Sequence, residues 1–335
     1  MFEQLKRKLL ISVGLGALVF LGLSIYSDLD RLAEAFRAFE LIFVPLALFL
    51  ALVNYGVRFV RWQMYLSWLK IPLAKGDSLI VFLAGLVLSV TPGKAGELLK
   101  AYFIRHRLGI PVRRSAPAVV MERLADFIAL IFLSLAGVFS FEQGVLPFWV
   151  VTGLTAGMLL FLGWSKGMGW CIEWFGRLPV VGRFAPSFRD AYEGMRVLIT
   201  PLHLFGGVVL GIAAWFAECL GFYYVIHGFG GQVGVAAATF IYSFATLFGA
   251  LTLLPGGLGP TEGSMSGLLV HRGMPLANAV GATFIIRVCT LWFAVALGAL
   301  VFILGRNRLD WAEDVEPEFA KGVQIEADGI VEKET

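Results

Sequence analysis

Charge is what this sequence has least of. Asp, Glu, Lys and Arg make up 15% of its 335 residues, against about 25% in soluble domains. That scarcity excludes a water-soluble enzyme. The net charge of +3 is too small for a nucleic-acid surface, so no nucleic-acid partner is expected. Cysteine is scarce as well. Cys171, Cys219 and Cys289 fit neither a disulfide framework nor a metal-ligand spacing, and read as small apolar packing residues. The four histidines, His106, His203, His227 and His271, are too scattered for a metal cluster. There is no GxxxxGK[ST] loop, no HExxH and no GxSxG, which leaves no signature of a phosphate loop, a zinc protease or a nucleophile elbow. No cofactor, no metal site and no catalytic residue is expected.

Apolar residues are abundant, at 58% of the chain, with a mean hydropathy of +0.81. A spanning helix needs roughly 20 mostly apolar residues. Spans are expected at 9–26, 41–60, 116–140, 145–164, 202–227 and 280–304. Lys6, Arg7 and Lys8 precede the first run, as they would in a signal peptide. No A-x-A site follows and the membrane pattern continues, so the first span is expected to stay uncleaved.

Two further apolar segments, 78–91 and 236–254, end abruptly. The first runs into Thr91-Pro92-Gly93-Lys94-Ala95-Gly96-Glu97. The second runs into Leu254-Pro255-Gly256-Gly257-Leu258-Gly259-Pro260-Thr261-Glu262. Proline lacks an N–H and glycine loosens the helix, so both helices are expected to break there.

The distribution of basic residues orients the spans. Lys6, Arg7 and Lys8 place the N-terminus in the cytoplasm. If both broken segments enter and leave on one side, Arg58, Arg61, Lys70, Lys75, Arg105, Arg107, Arg113 and Arg114 fall inside. Lys166, Arg177, Arg183, Arg189, Arg196, Arg306 and Arg308 join them. Of the 27 Lys and Arg, only Arg31 and Arg272 then stand clearly outside, with Arg37 near the interface. The expected fold class is therefore an all-α polytopic membrane protein. It has about six transmembrane helices plus two re-entrant broken-helix hairpins, with both termini cytoplasmic in the inner (cytoplasmic) membrane. Residues 1–307 form the membrane domain, and 308–335 an acidic, disordered tail. Residues 28–40 and 168–200 suit interfacial amphipathic helices, the latter dipping Trp170, Trp174, Phe175 and Phe184 into the headgroup region.

The broken segments also repeat. Each has an apolar run, then Pro-Gly-x-x-Gly, then a Glu. Glu97 aligns with Glu262 and His106-Arg107 with His271-Arg272 at an offset of 165. Pro111 aligns with Pro275 and Arg123 with Arg287 at an offset of 164. The halves lie around 78–140 and 236–304. Three spans separate the hairpins, and an odd number inverts the second copy. Inverted repeats with broken helices are how many transporters build a midplane site. A duplication that only builds the fold is the alternative.

Charged groups inside a bilayer cost about 2.5–3.5 kcal/mol each on insertion scales, so they need partners or water. Those expected at membrane depth are Lys94, Glu97, Glu122, Arg123, Asp126, Glu218, Glu262 and Arg287. Glu122, Arg123 and Asp126 share a helix side, which allows a self-satisfied Arg–Asp pair. Alternatively Arg123, Arg287 and Lys94 form a cationic pocket for a phosphate, with arginine binding it bidentately. The breaks would add backbone N–H groups at half-helix starts near Gly93 and Gly259. Gly96, Gly256, Gly257 and Thr261 belong to the same breaks, where glycine permits close backbone approach. Lys94 equally suits snorkelling. Glu97 and Glu262 suit either a first-turn helix charge or proton coupling. Glu218 reads as a shielded acid or a proton site. Arg58 and Arg61, at the end of the second span, are expected to contact lipid phosphates or to set topology.

At these residues the chain resembles the lysylphosphatidylglycerol synthase transmembrane, or flippase-like, family. The resemblance rests on Thr91-Pro92-Gly93-Lys94-Ala95-Gly96-Glu97, on Glu122-Arg123-x-x-Asp126, and on Leu254 to Gly263. It extends from the first span to about residue 304. It implies movement of lipids or lipid-linked groups between leaflets, with a phosphate-bearing membrane lipid as partner. Members associated with aminoacylated phosphatidylglycerol, hopanoids and polyprenyl-linked sugars leave the substrate open. Those that make lysylphosphatidylglycerol carry a separate soluble aminoacyltransferase domain, which is not expected in the acidic stretch of roughly 30 residues that follows the last span. The expected function is a lipid translocase of an anionic phospholipid or lipid-linked phosphate or sugar, with a homo-oligomer left open. A membrane-embedded transferase using Glu97 or Glu262 as base, and a non-transporting scaffold, are the alternatives.

Overall fold

The computed structural model describes residues 27–91, 97–135 and 185–305, with scattered positions at 14–25 and at 149, 153 and 157. The expected first span at 9–26 lies partly outside the described residues. The span at 145–164 lies outside them apart from 149, 153 and 157, and the aromatics of 168–184 and the tail at 308–335 lie outside them too.

All regular structure among the described residues is helical. In chain order the helices are α1 Leu29–Ala38, α2 Phe43–Trp68, α3 Lys75–Gly85, α4 Leu99–Leu108, α5 Val112–Ser134 and α6 Ala185–Leu198. They continue as α7 Pro201–Gly228, α8 Val235–Leu251, α9 Pro260–His271, α10 Leu276–Arg287 and α11 Phe293–Gly305. A 3₁₀ turn, Leu86–Val90, extends α3, and a π turn, Val288–Trp292, joins α10 to α11. Among the described residues, three stretches are long and apolar enough to cross a membrane by length and composition: Phe43–Trp68, Pro201–Gly228 and Leu276–Gly305. Their outer faces carry large exposed apolar side chains, among them Phe49, Leu202, Phe205, Leu300 and Ile303. Soluble monomers rarely leave such patches in water, whereas lipid covers them without cost.

The long pair α2 and α7 forms the central packing of the fold. Along α2 the buried positions Ala47, Ala51, Asn54, Arg58, Arg61 and Tyr65 recur at alternating intervals of four and three, one helical face. On α7 the facing residues are small. A Cβ built on Gly207 would strike the Tyr65 hydroxyl, and one on Gly211 would sit 2.9 Å from an Arg61 nitrogen. Without lipid-expelling hydrophobic force between helices, such small-residue stripes are what permits close approach. Asn54 donates to the Ala214 carbonyl at 2.8 Å, and Ala47 lies beside Gly221, so the two helices run antiparallel. Gly211→Val should therefore push α7 off α2 and lower stability by about 1–3 kcal/mol, the usual overpacking cost. Scanning fluorimetry of the purified protein checks this.

The two broken segments share local construction. In the first, α3 and its 3₁₀ turn lead to Thr91, and the chain re-enters helix at α4. In the second, α8 leads through a 3₁₀ turn at Pro255–Gly257 into α9, with Pro260 in its first turn, where a missing N–H costs nothing. Each copy then turns through a glycine at positive φ, Gly109 at 67° and Gly273 at 85°, a conformation that glycine alone takes freely. Each next enters a helix from an extended proline cap, Pro111 before α5 and Pro275 before α10. That proline starts α5 at Val112, ahead of the expected 116. The 3₁₀ turns Leu86–Val90 and Pro255–Gly257 pack against each other, and a Cβ added at Gly256 would lie 3.5 Å from a Val90 methyl.

Candidate functional site

Where the 3₁₀ turns Leu86–Val90 and Pro255–Gly257 meet α2, α5, α7 and α10, the fold leaves a cavity of about 210 Å³. Arg58 and Tyr55 reach it from α2, Arg123 and Asp126 from α5, and Trp215 and Glu218 from α7. Tyr242 of α8, Gly256 and Gly257 of the second break, Thr261 of α9 and Arg287 of α10 complete the polar lining.

Four cations around this cavity, Arg61, Lys100, Arg123 and Arg287, are held by acids. Arg61 is fully buried and donates to Asp126 at 2.6 Å, and the Trp215 indole N–H donates to the same oxygen at 3.0 Å. The other Asp126 oxygen lies 3.1 Å from Arg123, an ion-pair contact off the hydrogen-bond direction. Arg123 makes a second such contact, also 3.1 Å, with Glu97. Glu97 in turn lies 3.4 Å from Lys100, whose ammonium donates to Glu122 at 2.6 Å. Lys100 also sits 4.9 Å above the Trp62 ring, within the reach of cation–π attraction. Its stem occupies the space left by Gly85, where a Cβ would come within 2.9 Å.

The second copy is simpler. Arg287 donates to Glu262 at 2.6 Å and to the Gly256 carbonyl at 2.7 Å. The other Glu262 oxygen accepts the Gly259 N–H at 2.6 Å. Glu262 thus ties the break to α10 and satisfies an exposed donor at the start of α9. Residues at matching repeat positions form an acid–arginine pair in both copies: Glu97 with Arg123, and Glu262 with Arg287. Just beyond Arg287 the helix widens into the π turn, a distortion common at functional sites.

The expected site residues divide accordingly. Arg123, Asp126, Glu218, Gly256, Gly257, Thr261 and Arg287 line the cavity. Glu97, Glu122 and Glu262 stand behind it as partners of cations. The Gly259 N–H, expected to face a ligand, is taken by Glu262. Lys94, Gly93 and Gly96 lie outside the described residues. Glu218 accepts from the Tyr242 hydroxyl at 2.6 Å. Among the described residues no cluster of His, Cys, Asp and Glu could hold a metal.

Arg58 and Arg61 require a correction. Both were expected at the membrane surface, and both are buried. The helix does not end near residue 60. It runs to Trp68, because Asp126 on α5 and the aromatic residues Trp62 and Tyr65 give the arginines a protein environment. Lys100, Trp215 and Tyr242 were also not expected in the site. The alternating stripe from Ala47 to Tyr65 is the signal for the arginines, and the three-residue spacing of Glu97 and Lys100 is the signal for the lysine.

These features define a polytopic helical membrane protein built around a buried, charged cavity. The chain belongs to a family described as the lysylphosphatidylglycerol synthase TM region, whose model matches residues 8–298. Among similar proteins, one named UPF0104 membrane protein from Methanothermobacter thermautotrophicus is 27% identical over 307 residues, covering 85% of this chain and 90% of its own. UPF0104 membrane protein PH1989 of Pyrococcus horikoshii is 20% identical, covering 91% of this chain and 99% of its own. UPF0104 membrane protein MJ1078 of Methanocaldococcus jannaschii is 21% identical over 66% of this chain.

Proposed function

We propose that this protein is a lipid translocase of the cytoplasmic membrane, moving an anionic phospholipid or lipid-linked phosphate between leaflets. The observation that carries the reading is the arginine-lined cavity where the 3₁₀ turns of the two broken segments meet. A polar cavity among lipid-facing helices is expensive to maintain, and broken helices at a repeat interface suit a site reached alternately from either side. In this reading the two broken segments are re-entrant hairpins of an inverted repeat. Both termini are cytoplasmic, the acyl or prenyl chains stay in the bilayer, and the protein performs no covalent chemistry. Arg123 and Arg287 shape the headgroup site through their acids.

Two measurements test this. Single-cysteine variants at residues 108 and 273, labelled from outside intact cells, should react only at 273. Labelling of both, or of neither, contradicts the inverted repeat. Protein reconstituted with a fluorescent phosphatidylglycerol should speed its exchange between leaflets and return it chemically unchanged. A new lipid species by mass spectrometry would instead favour a membrane-embedded transferase.

A further inference from the structure

Arg58 differs from the other cations around the cavity. Arg61, Lys100, Arg123 and Arg287 each lie within 2.6–3.1 Å of a carboxylate. Arg58 is 6% exposed and lines the cavity, yet among the described residues it has neither an ion pair nor a hydrogen bond, and its buried Nε has no acceptor. Neighbouring donors are already used. The Tyr55 hydroxyl donates to the Thr290 carbonyl at 2.7 Å, the Tyr242 hydroxyl to Glu218, and the Trp215 indole to Asp126. A buried guanidinium with its donors unused is costly until an acceptor completes it.

We propose that Arg58 is the headgroup ligand of the cavity and that it takes one phosphodiester monoanion of a membrane phospholipid, while Arg123 and Arg287 hold the walls. The lipid source rests on the translocase reading above. The charge class rests on the cavity. Arg58 is the one described cation of the cavity without a carboxylate at ion-pair distance, and one guanidinium matches a single negative charge. A phosphomonoester carries about 1.5–2 negative charges near pH 7, and a diphosphate brings more. The surplus would face Asp126 and Glu218, which line the same cavity. A guanidinium fork also fits two oxygens of one phosphate.

The test is calorimetric titration of the purified full chain in phosphatidylcholine nanodiscs. The probes are dihexanoylphosphatidylglycerol, dihexanoylphosphatidic acid, sodium pyrophosphate and sodium phosphate. Saturable binding of the phosphatidylglycerol is expected, tighter than that of the other three. Arg58→Gln should weaken it about 30-fold or more, the loss seen when one partner of a buried charge pair is removed, with Arg58→Lys intermediate. Equal affinity in Arg58→Gln, tighter phosphatidic acid or pyrophosphate, or no binding of the phosphatidylglycerol overturns the proposal. Free phosphate binding as tightly as phosphatidylglycerol overturns the lipid assignment. The rank order on the unaltered protein decides even if Arg58→Gln does not fold. Binding as expected without accelerated leaflet exchange would refute translocation and leave the Arg58 site standing.

Discussion

Asp126→Ala is expected to be among the most damaging single substitutions in this protein. Asp126 holds Arg61 at 2.6 Å, accepts from Trp215 and lies 3.1 Å from Arg123. Removing it leaves the fully buried Arg61 guanidinium with no anion at hydrogen-bonding distance among the described residues. Breaking a buried pair by deleting one partner costs about 3–5 kcal/mol, a large share of the roughly 5–15 kcal/mol that stabilises a domain. The expected result is a large fall in thermal midpoint and poor recovery from detergent extraction. The double variant Arg61→Met/Asp126→Leu separates charge from packing. It removes both ions and roughly keeps volume, and such replacements are often neutral or stabilising. Thermal midpoints should therefore rank the double variant well above Asp126→Ala. Equal loss in both would mean that the pair contributes shape rather than charge compensation.

Glu262→Gln should be nearly as costly, and more costly than the matching change Glu97→Gln. Glu262 is completely buried and serves two breaks in the hydrogen-bond pattern at once, the Gly259 N–H and Arg287. A glutamine can still accept from Gly259, but its amide leaves Arg287 buried without an anion, again about 3–5 kcal/mol. In the first copy Arg123 keeps Asp126 and Lys100 keeps Glu122 when Glu97 is neutralised. The two repeats thus carry the same pair with different redundancy. Chemical denaturation of both variants, read as the shift in midpoint, should show the Glu262 change as the larger. The opposite order would place the stability of this network in the first break.

Much of this was legible in the sequence. Pro-Gly clusters, an apolar run ending in each of them, and a Glu at a constant offset located both breaks, because glycine and proline act locally. Arg123 and Arg287 stood out by their matching positions. The pairing of Arg61 with Asp126 was not legible: 65 residues separate them, and no local pattern records which faces of α2 and α5 meet. Arg58 and Arg61 were misplaced because a count of apolar residues treats an arginine as the end of a span. On α2 it is instead the polar position in a stripe of small residues that includes Asn54. Lys100 was overlooked for the same reason, since its charge concealed a buried face shared with Ala101 and Ile104.

The central claim is that lipid crosses by way of the cavity between the breaks. Thr246 lines that cavity outside the ion network, so Thr246→Trp fills it without touching a charge. The deciding measurement is the rate at which inner-leaflet fluorescent phosphatidylglycerol becomes accessible to an impermeant quencher in proteoliposomes. Wild-type protein should accelerate that exchange, and Thr246→Trp, folded to the same thermal midpoint, should return it to the rate of protein-free vesicles. Exchange by Thr246→Trp at the wild-type rate would contradict passage through the cavity.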